Sequence, residues 1–469
     1  MLQSKLLKIA SVLAFLGIVL SACAAPAAAP AAESKPAAEA PAATGEATTL
    51  TIITVNNPDM KTMESFKGKF EESHPNIKLN FVFLPENELR TRVTTDVASG
   101  TGSFDVVTVG TYEVPIWAKT GWIASFDQLM KDNPDSVQAN YDVEDLLKPM
   151  RLGLSYDKQL YAVPFYGESS MMFYNKKMFK EAGLEMPSDP TWEQVKEFAC
   201  KLHHPDKQQY GIALRGLPGW GELFGPLTTV INTYGGRWFD ENWQPQVNSP
   251  EWKEAVGFYV DLLQKCGIPG AASNGFSESL TAMSQGQVAM WVDATVAAGF
   301  LTDPKQSKIV DDVGFAMAPH GPVEKGYHWL WAWSLAIPKT STHQKEALAF
   351  TTWATSKDYI ELVGKTNGWN TVPPGTRTST YKNPEYLKAA AFAEVTLRSI
   401  ETADPTDSTR DKVPYVGVQF VGIPEYQGIG TDVSQQISAA IAGKMTVEEA
   451  LNKGQEIAVK AMKDAGYIK

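Results

Sequence analysis

Hydrophobic and polar positions along the chain follow two alternating periods, one typical of strands and one typical of helices. Residues 50–55 form a β-rich run, and residues 77–83 and 104–109 are two further strand-like segments. Between them, residues 60–70 and 86–99 carry apolar side chains near helical spacing. This β-α-β-α-β order predicts a parallel sheet with right-handed crossovers.

The loops at the carboxyl ends of these strands are where such a sheet binds a ligand. Asn56 and Asn57 follow the first strand, and residues 110–117 follow the third. Asp59 stands just beyond the first loop, where it is expected to cap the helix. Asp105 lies inside a buried-type strand, so we expect it to orient a loop rather than contact a ligand.

The same two periods continue through the rest of the chain. They predict strands at 160–165, 171–175, 288–292, 313–317 and 335–337, and helices at 193–202, 251–266, 385–400, 431–442 and 447–465. The predicted fold class is therefore α/β. A chain that crosses more than once between two α/β lobes explains this order.

The first residues read as an export signal. Lys5 and Lys8 precede an apolar run at 9–20, which is shorter than the roughly 20 residues that span a bilayer. The run ends in Leu20-Ser21-Ala22-Cys23, which resembles a bacterial lipobox. That resemblance implies a signal peptide over 1–22 and lipidation of Cys23. The alternative is an ordinary signal peptide that has a cysteine here by chance.

Residues 23–47 are predicted to be a lipid-anchored tether, because Ala, Pro and small polar residues cannot bury enough surface to order the chain. The expected location is thus outside the cell membrane, on its periplasmic or extracellular face. Beyond the tether we expect lobe 1 to comprise 48–163 and 326–370, and lobe 2 to comprise 164–325 and 371–469.

Composition and charge exclude several classes of function. The 469 residues carry 42 basic and 53 acidic side chains, a net charge of −11, with no polybasic stretch to neutralise nucleic-acid phosphates. Three cysteines are too few for a four-cysteine metal site. Cys200 and Cys266 lie on separate predicted helices. They form either a disulfide or two buried free thiols. No nucleophile, phosphate-loop or zinc motif is present, so neither a cofactor nor a metal is expected.

Six short segments occur in a recognisable order: EESHPNI at 71–77, FDVV at 104–107, LYAVP at 160–164, FYNK at 173–176, TWE at 191–193 and GQVAM at 286–290. Together they resemble the family 1 extracellular solute-binding proteins of bacterial ABC importers, the class that contains the maltose-binding protein. GTYE at 110–113, GESS at 167–170 and GIPEY at 422–426 resemble the sorbitol- and mannitol-binding members.

This resemblance implies a two-lobe periplasmic-binding-protein-like fold of type II, with a ligand cleft between the lobes. It implies a binding protein rather than an enzyme. The expected partners are a small polyol or sugar, the membrane subunits of an ABC permease, and the membrane itself through the lipid anchor. We expect a monomer and no nucleic-acid partner.

A polyol needs carboxylates and amides for its hydroxyls and aromatic faces for its C–H surfaces. By resemblance, the predicted ligand-binding residues are Asn56, Asn57, Tyr112, Glu113, Glu168, Asp293, Glu425 and Tyr426. From residue type and position in the sequence, without the resemblance, we add Trp220, Trp291, Trp331, Trp333, Asn370 and Arg377. Trp329, Trp331 and Trp333 alternate along a strand-like stretch, so all three face one side.

Each assignment has a plainer alternative. Tryptophans on a strand face also occur as core residues, Glu168 also fits a solvated loop carboxylate, and Arg377 also fits a surface ion pair. A cell-surface glycoside hydrolase remains an alternative function, because two catalytic carboxylates leave no sequence pattern.

Overall fold

The computed structural model describes residues 47–469. The predicted signal peptide, the lipidated Cys23 and the tether up to residue 46 lie outside the described residues. Within the described part, no helix is both long enough and apolar enough to cross a bilayer.

Strands and helices alternate along the described chain. The strands are β1 (Thr48–Val55), β2 (Ile77–Leu84), β3 (Val106–Gly110), β4 (Ser155–Tyr156), β5 (Gln159–Leu160), β6 (Ala162–Glu168), β7 (Ser170–Asn175), β8 (Tyr210–Ala213), β9 (Val288–Ala294), β10 (Val313–Met317) and β11 (Trp331–Ala336). The helices are α1 (Pro58–Ser65), α2 (Lys67–Ser73), α3 (Glu86–Ser99), α4 (Glu113–Thr120), α5 (Phe126–Asp132), α6 (Lys148–Gly153), α7 (Lys176–Glu181), α8 (Trp192–Lys201), α9 (Phe224–Thr233), α10 (Pro250–Cys266), α11 (Phe276–Ser284), α12 (Ala297–Leu301), α13 (Gln344–Ala354), α14 (Lys357–Asn367), α15 (Pro384–Ala389), α16 (Ala393–Glu401), α17 (Tyr426–Ile441) and α18 (Val447–Asp464).

Two larger sheets organise the described residues, and β4 and β5 form a separate two-stranded pair. In the first, the order is β2-β1-β3-β11-β6, with β1 parallel to both β2 and β3, as the β-α-β-α-β pattern predicts. In the second, the order is β10-β7-β9-β8. We call the first sheet with its packed helices the first body, and the second sheet with its packed helices the second body. The α/β class is thus confirmed.

The first crossing between the bodies lies a few residues later than the predicted lobe boundary. β6 belongs to the first sheet through Glu168 and β7 to the second from Ser170, so the boundary expected after residue 163 falls inside a strand. The later boundary, expected between 370 and 371, stays a prediction. Pro374 accepts a hydrogen bond from the N–H of Gly167 at 2.8 Å, so the chain just beyond this boundary contacts the first body.

Asp105 fixes the loop before β3 to its neighbours, as the sequence predicts. Its carboxylate accepts hydrogen bonds from the N–H of Thr51 at 2.9 Å and from the hydroxyl of Ser341 at 2.7 Å. The Nδ1 atom of His343 lies 3.0 Å away. One buried carboxylate therefore joins β1 to the segment that follows β11.

The helix predicted over 385–400 is two helices, α15 and α16, because the chain breaks at Ala390, whose φ and ψ are −107° and 81°. The break turns Phe392 inward, where it is buried and packs 5.7 Å from the ring of Phe315. Core burial of one aromatic side chain here outweighs the continuous helical pattern.

Cys200 on α8 and Cys266 on α10 form a disulfide. The sequence left this pairing open. Their Cα atoms lie 5.0 Å apart although 66 residues separate them along the chain, so the bond ties together two helices of the second body.

Asn57, not Asp59, caps the first helix. The Asn57 side chain accepts from the N–H of Met60 at 3.0 Å. Asp59 instead turns into the interior, where it is only 6% exposed and its Oδ2 has no hydrogen-bond partner among the described residues. This burial raises the pKa of Asp59 to about 7.

The buried Asp59 should make folding stability depend on pH. Between about pH 4 and pH 7 the folded chain keeps the proton that the unfolded chain has lost, so Asp59 costs stability as the pH rises through this window. We expect Asp59→Asn to raise the free energy of unfolding by about 2–4 kcal/mol at pH 8 and to change it little at pH 4. Urea unfolding at both pH values measures this.

The matched control is Glu64→Gln, a partly exposed carboxylate on the same helix. Glu64→Gln should show the same dependence of the free energy of unfolding on pH as the unaltered protein. An Asp59→Asn effect of equal size at pH 4 and pH 8 would contradict the account.

Candidate ligand-binding site

A cavity of about 330 Å³ lies where residues of the first and second bodies face each other. The first body lines it with Val55, Asn56, Asn57, Pro85, Glu86, Arg90, Tyr166, Glu168, Trp331 and Trp333. The second body and the crossing segments line it with Arg215, Leu217, Gly221, Glu222, Gly225, Phe276, Ser277, Glu278, Ala294, Val296, Trp329, Gln419 and Phe420. Among residues 47–469, no cluster of three or more metal-ligating side chains is found.

Aromatic rings form one wall of the cavity. Trp331 and Trp333 alternate on β11, which brings both rings to the same side, 5.4 Å apart and nearly perpendicular at 83°. Phe420, from the loop before α17, packs 5.4 Å from Trp331. Trp329, which precedes β11, lines the same cavity. Such rings cover C–H surfaces of a ligand.

Gly110 makes room for this wall. It ends β3 directly opposite Trp333, and the Trp331 ring lies diagonally over its Cα atom. A Cβ atom at this position would overlap the Trp331 ring. Glycine is therefore required here by close packing.

Arg90, on α3, is buried beneath the aromatic wall. Its Nε and Nη2 donate to Glu86 at 3.1 and 2.8 Å, and its Nη1 donates to Glu113 at 2.8 Å. Its guanidinium lies 4.1 Å from the ring of Trp220 and 4.8 Å from that of Trp331. These contacts lock the arginine, because a buried charge is stable only when it is paired.

Arg215 is held in the same way on the second body. It forms two hydrogen bonds to the carboxylate of Asp293, at 2.9 and 2.6 Å, and one to Glu222 at 3.3 Å. Trp291 donates from Nε1 to the same Asp293 at 3.1 Å. Burial raises the pKa of Glu222 to about 7, with the nearby Glu86 acting in the same direction and Arg215 opposing it.

Glu168 is the carboxylate of the cavity that the protein itself does not satisfy. It ends β6, is only 7% exposed, and its carboxylate has no hydrogen-bond partner among the described residues. Burial holds its pKa well above the usual range; Arg215 opposes this shift, and Asp293 adds to it. A ligand that donates hydrogen bonds would satisfy this group.

Amide side chains complete the polar surface. Asn57 donates from Nδ2 to the hydroxyl of Tyr166 at 2.8 Å. Gln419 accepts from the N–H of Leu330 at 3.3 Å and donates to its carbonyl at 2.9 Å. These bonds fix both amides next to the space that a ligand would occupy.

The two bodies also contact each other through residues that do not line the cavity. Asn87, on α3, donates to the carbonyl of Pro218 at 3.1 Å, and Tyr112 donates to the carbonyl of Ile423 at 2.6 Å. The backbone of Gly221 packs so closely that a Cβ atom there would lie 2.7 Å from both Arg90 and Glu86. The chain is thus described in a form whose bodies are in contact around the cavity.

The structure brings part of the predicted set to the cavity surface. Asn56, Asn57, Glu168, Trp331 and Trp333 line it.

A second group of predicted residues supports the cavity from behind. Glu113 holds Arg90, while Asp293 and Trp291 hold Arg215. Tyr112 and Tyr426 pack with Trp220 in an aromatic cluster, with Tyr112 4.9 Å from Trp220. These residues shape the site without lining it.

Three predicted residues need correction. Arg377 is fully buried, donating to the carbonyls of Thr355 at 2.9 Å and Asp142 at 2.8 Å and pairing with Asp145 at 3.3 Å. Asn370 donates to the carbonyl of Thr302 at 3.1 Å, beside a separate small cavity.

Glu425 is the third. It accepts from the hydroxyl of Tyr467 at 3.3 Å and does not line the cavity.

Sequence reasoning missed the two arginines, the carboxylates Glu86 and Glu222, and Gln419. One signal was present: Glu86 and Arg90 are four residues apart on one helix, the spacing of an intrahelical ion pair. Arg215 carries no comparable local sign, since its partner Asp293 is 78 residues away.

Comparison with known proteins identifies similar chains. The family model for bacterial extracellular solute-binding proteins matches residues 55–361. The mannitol-binding protein of Pseudomonas aeruginosa is 50% identical over 423 residues, which cover 90% of this chain and 95% of that protein.

Solved structures agree on the fold. A solute-binding protein of an ABC transporter from Agrobacterium vitis S4, with bound D-mannitol, is 53% identical, has a TM-score of 0.87, and is matched over 90% of this chain and 100% of its own. A solute-binding protein from Agrobacterium radiobacter K84 in complex with ribitol is 24% identical, with a TM-score of 0.77 over 88% of this chain and 98% of its own. The second likeness concerns the fold alone. The predicted two-lobe fold is confirmed.

The tight packing at Gly110 is testable. We expect Gly110→Ala to lower the free energy of unfolding by about 1–3 kcal/mol, because the added methyl group must displace the Trp331 ring. The near-ultraviolet circular dichroism of the tryptophans should change with it. Urea unfolding and circular dichroism measure both effects.

Gly257→Ala, on α10, is the matched control, since nothing lies within 4 Å of the position that its added methyl group would occupy. It should leave the spectrum unchanged. If Gly110→Ala behaved like this control, Trp331 would not depend on Gly110.

Proposed function

Because this chain belongs to the bacterial extracellular solute-binding proteins, we propose that it captures an acyclic polyol, with D-mannitol as the first candidate. The protein would then deliver the polyol to the membrane permease of an ABC importer. The observation that carries this proposal is the cavity, in which a buried carboxylate without a partner among the described residues lies beside an aromatic wall. The 53% identity to a protein solved with bound D-mannitol supports the choice of ligand.

The chemistry of the cavity suits a hexitol. Such a molecule carries one hydroxyl on every carbon, so it offers many donors and acceptors along an apolar C–H chain. Glu168 would accept hydrogen bonds from hydroxyls, and Asn56 and Asn57 would donate and accept. Trp331 and Trp333 would cover the C–H surfaces. Hydrogen bonds to a charged group contribute about 1.5–3 kcal/mol each, so Glu168 is the leading contact.

Binding would favour closure of the two bodies. A ligand that contacts Glu168 on the first body and Glu222 or Arg215 on the second interacts better with the closed form. The chain crosses between the bodies next to Glu168, so a hinge there lies beside the ligand. The permease would recognise the closed form.

Export and anchoring complete the proposal. The family supports a location outside the cytoplasm, and the lipobox-like segment at 20–23 supports attachment of Cys23 to the membrane by acyl chains. The protein would act there as a monomer. The relatives described above are binding proteins, so the glycoside hydrolase alternative has no support.

Calorimetric titration of the chain from residue 48 onward tests the ligand. We expect D-mannitol to bind with a dissociation constant near the micromolar range, about −8 kcal/mol, and to be recovered unaltered. Other hexitols and pentitols should bind in a graded order, and disaccharides weakly or not at all. Binding of disaccharides alone would overturn the polyol assignment.

Glu168→Ala tests the leading contact. We expect it to weaken D-mannitol binding by about 1.5–3 kcal/mol, because the hydroxyls lose a charged acceptor. The ligand-free variant should be at least as stable as the parent, since a buried carboxylate without a partner is removed. The control Glu64→Ala, on the surface of α1, should bind as the parent does. Unchanged affinity in Glu168→Ala would remove Glu168 from the site.

A further inference from the structure

The charges around the cavity do not balance. Arg90 and Arg215 are the only cationic side chains among its lining residues, which include no lysine or histidine. Against these two stand four lining carboxylates, Glu86, Glu168, Glu222 and Glu278, together with Glu113 and Asp293, which bind the arginines from behind. The cavity therefore has an excess of formal negative charge.

Neither arginine donates a hydrogen bond to Glu168, because both are directed at other carboxylates. Every guanidinium nitrogen of Arg90 donates to Glu86 or Glu113. Those of Arg215 all donate to Asp293 or Glu222. Glu168 is thus left more than nine-tenths buried, without a partner, and open to the space that a ligand would occupy.

We propose that the cavity also accepts polyols that carry a protonated primary amine, with Glu168 as the counter-ion of the ammonium group. This inference rests on the proposed polyol function and extends its range of ligands. An ammonium group has three donors and a full positive charge, whereas a hydroxyl has one donor and no charge. An ammonium group therefore neutralises the negative charge of the Glu168 carboxylate, whereas a neutral hexitol only donates hydrogen bonds to it.

In the form that the structure describes, Glu168 is already largely buried. An ammonium group that enters this form loses its own hydration and gains the charge pair. Burial raises the pKa of Glu168, and an ammonium in contact reverses that shift, because an opposite charge favours the ionised carboxylate. Anionic polyols, such as hexonates, would bring a second negative charge close to Glu168 and should therefore bind weakly.

Calorimetry at pH 7.5 with three matched ligands tests the proposal. The ligands are D-mannitol, 1-amino-1-deoxy-D-mannitol and D-mannonate. We expect the amine to bind about tenfold more tightly than mannitol, and mannonate to bind at least tenfold more weakly. The preference should shrink at high salt, though less than for a surface charge pair.

Two variants identify the counter-ion. In Glu168→Gln we expect mannitol to weaken moderately and the amine to weaken far more, so that the amine-to-mannitol preference falls to one or below. Glu278→Gln removes one negative charge at an exposed position of the lining. The glutamine side-chain oxygen can still accept the hydrogen bond that the N–H of Gly275 donates to Glu278. This variant should retain at least half of the preference.

The outcomes separate the two proposals. Mannitol binding with a weaker amine, or a preference that survives in Glu168→Gln, overturns the ammonium site and leaves the polyol function intact. Binding of neither mannitol nor the amine overturns the polyol function itself.

Discussion

Two buried guanidinium groups, Arg90 and Arg215, hold the cavity in its shape. Each is removed from water and must be paired, so each recruits two carboxylates, one of which comes from a distant strand or helix. The partners of Arg90 join α3 to the start of α4, and those of Arg215 join the chain after β8 to β9. Trp220 and Trp331 pack on the guanidinium of Arg90. Among the lining carboxylates, Glu168 is buried and has no hydrogen-bond partner within residues 47–469, so a ligand can satisfy it.

The position of Glu168 links binding to movement. It is the last residue of β6, and the chain enters the second sheet two residues later, at Ser170. A ligand held by Glu168 therefore sits beside a connection between the bodies. The bodies also contact each other away from Glu168, through the hydrogen bond of Asn87 to Pro218 and the packing of Tyr112 against Trp220. A ligand that joins both sides adds to these contacts and so favours the closed form.

Local patterns predicted the frame of the site, and long-range partners decided the rest. The alternation of Trp331 and Trp333 along β11 brings their two rings to one face of the strand, and Asn57 lies just beyond the carboxyl end of the parallel strand β1. Arg377 and Asn370 occupy a loop whose composition resembles a binding loop, but Asp145 and Thr302, far away in sequence, bind their side chains. Asp293 lies on β9, the strand predicted to reach the site, but its carboxylate accepts hydrogen bonds from Arg215 and does not line the cavity. Pairings of this kind leave no trace in local spacing.

The central claim is that a polyol occupies this cavity and satisfies Glu168. A crystal structure of the chain with D-mannitol tests it most directly. The account predicts one hexitol between the two bodies, with a hydroxyl within about 3.2 Å of the Glu168 carboxylate and the C–H chain against Trp331 or Trp333. A hexitol bound elsewhere, or one that leaves Glu168 without a partner, would contradict it.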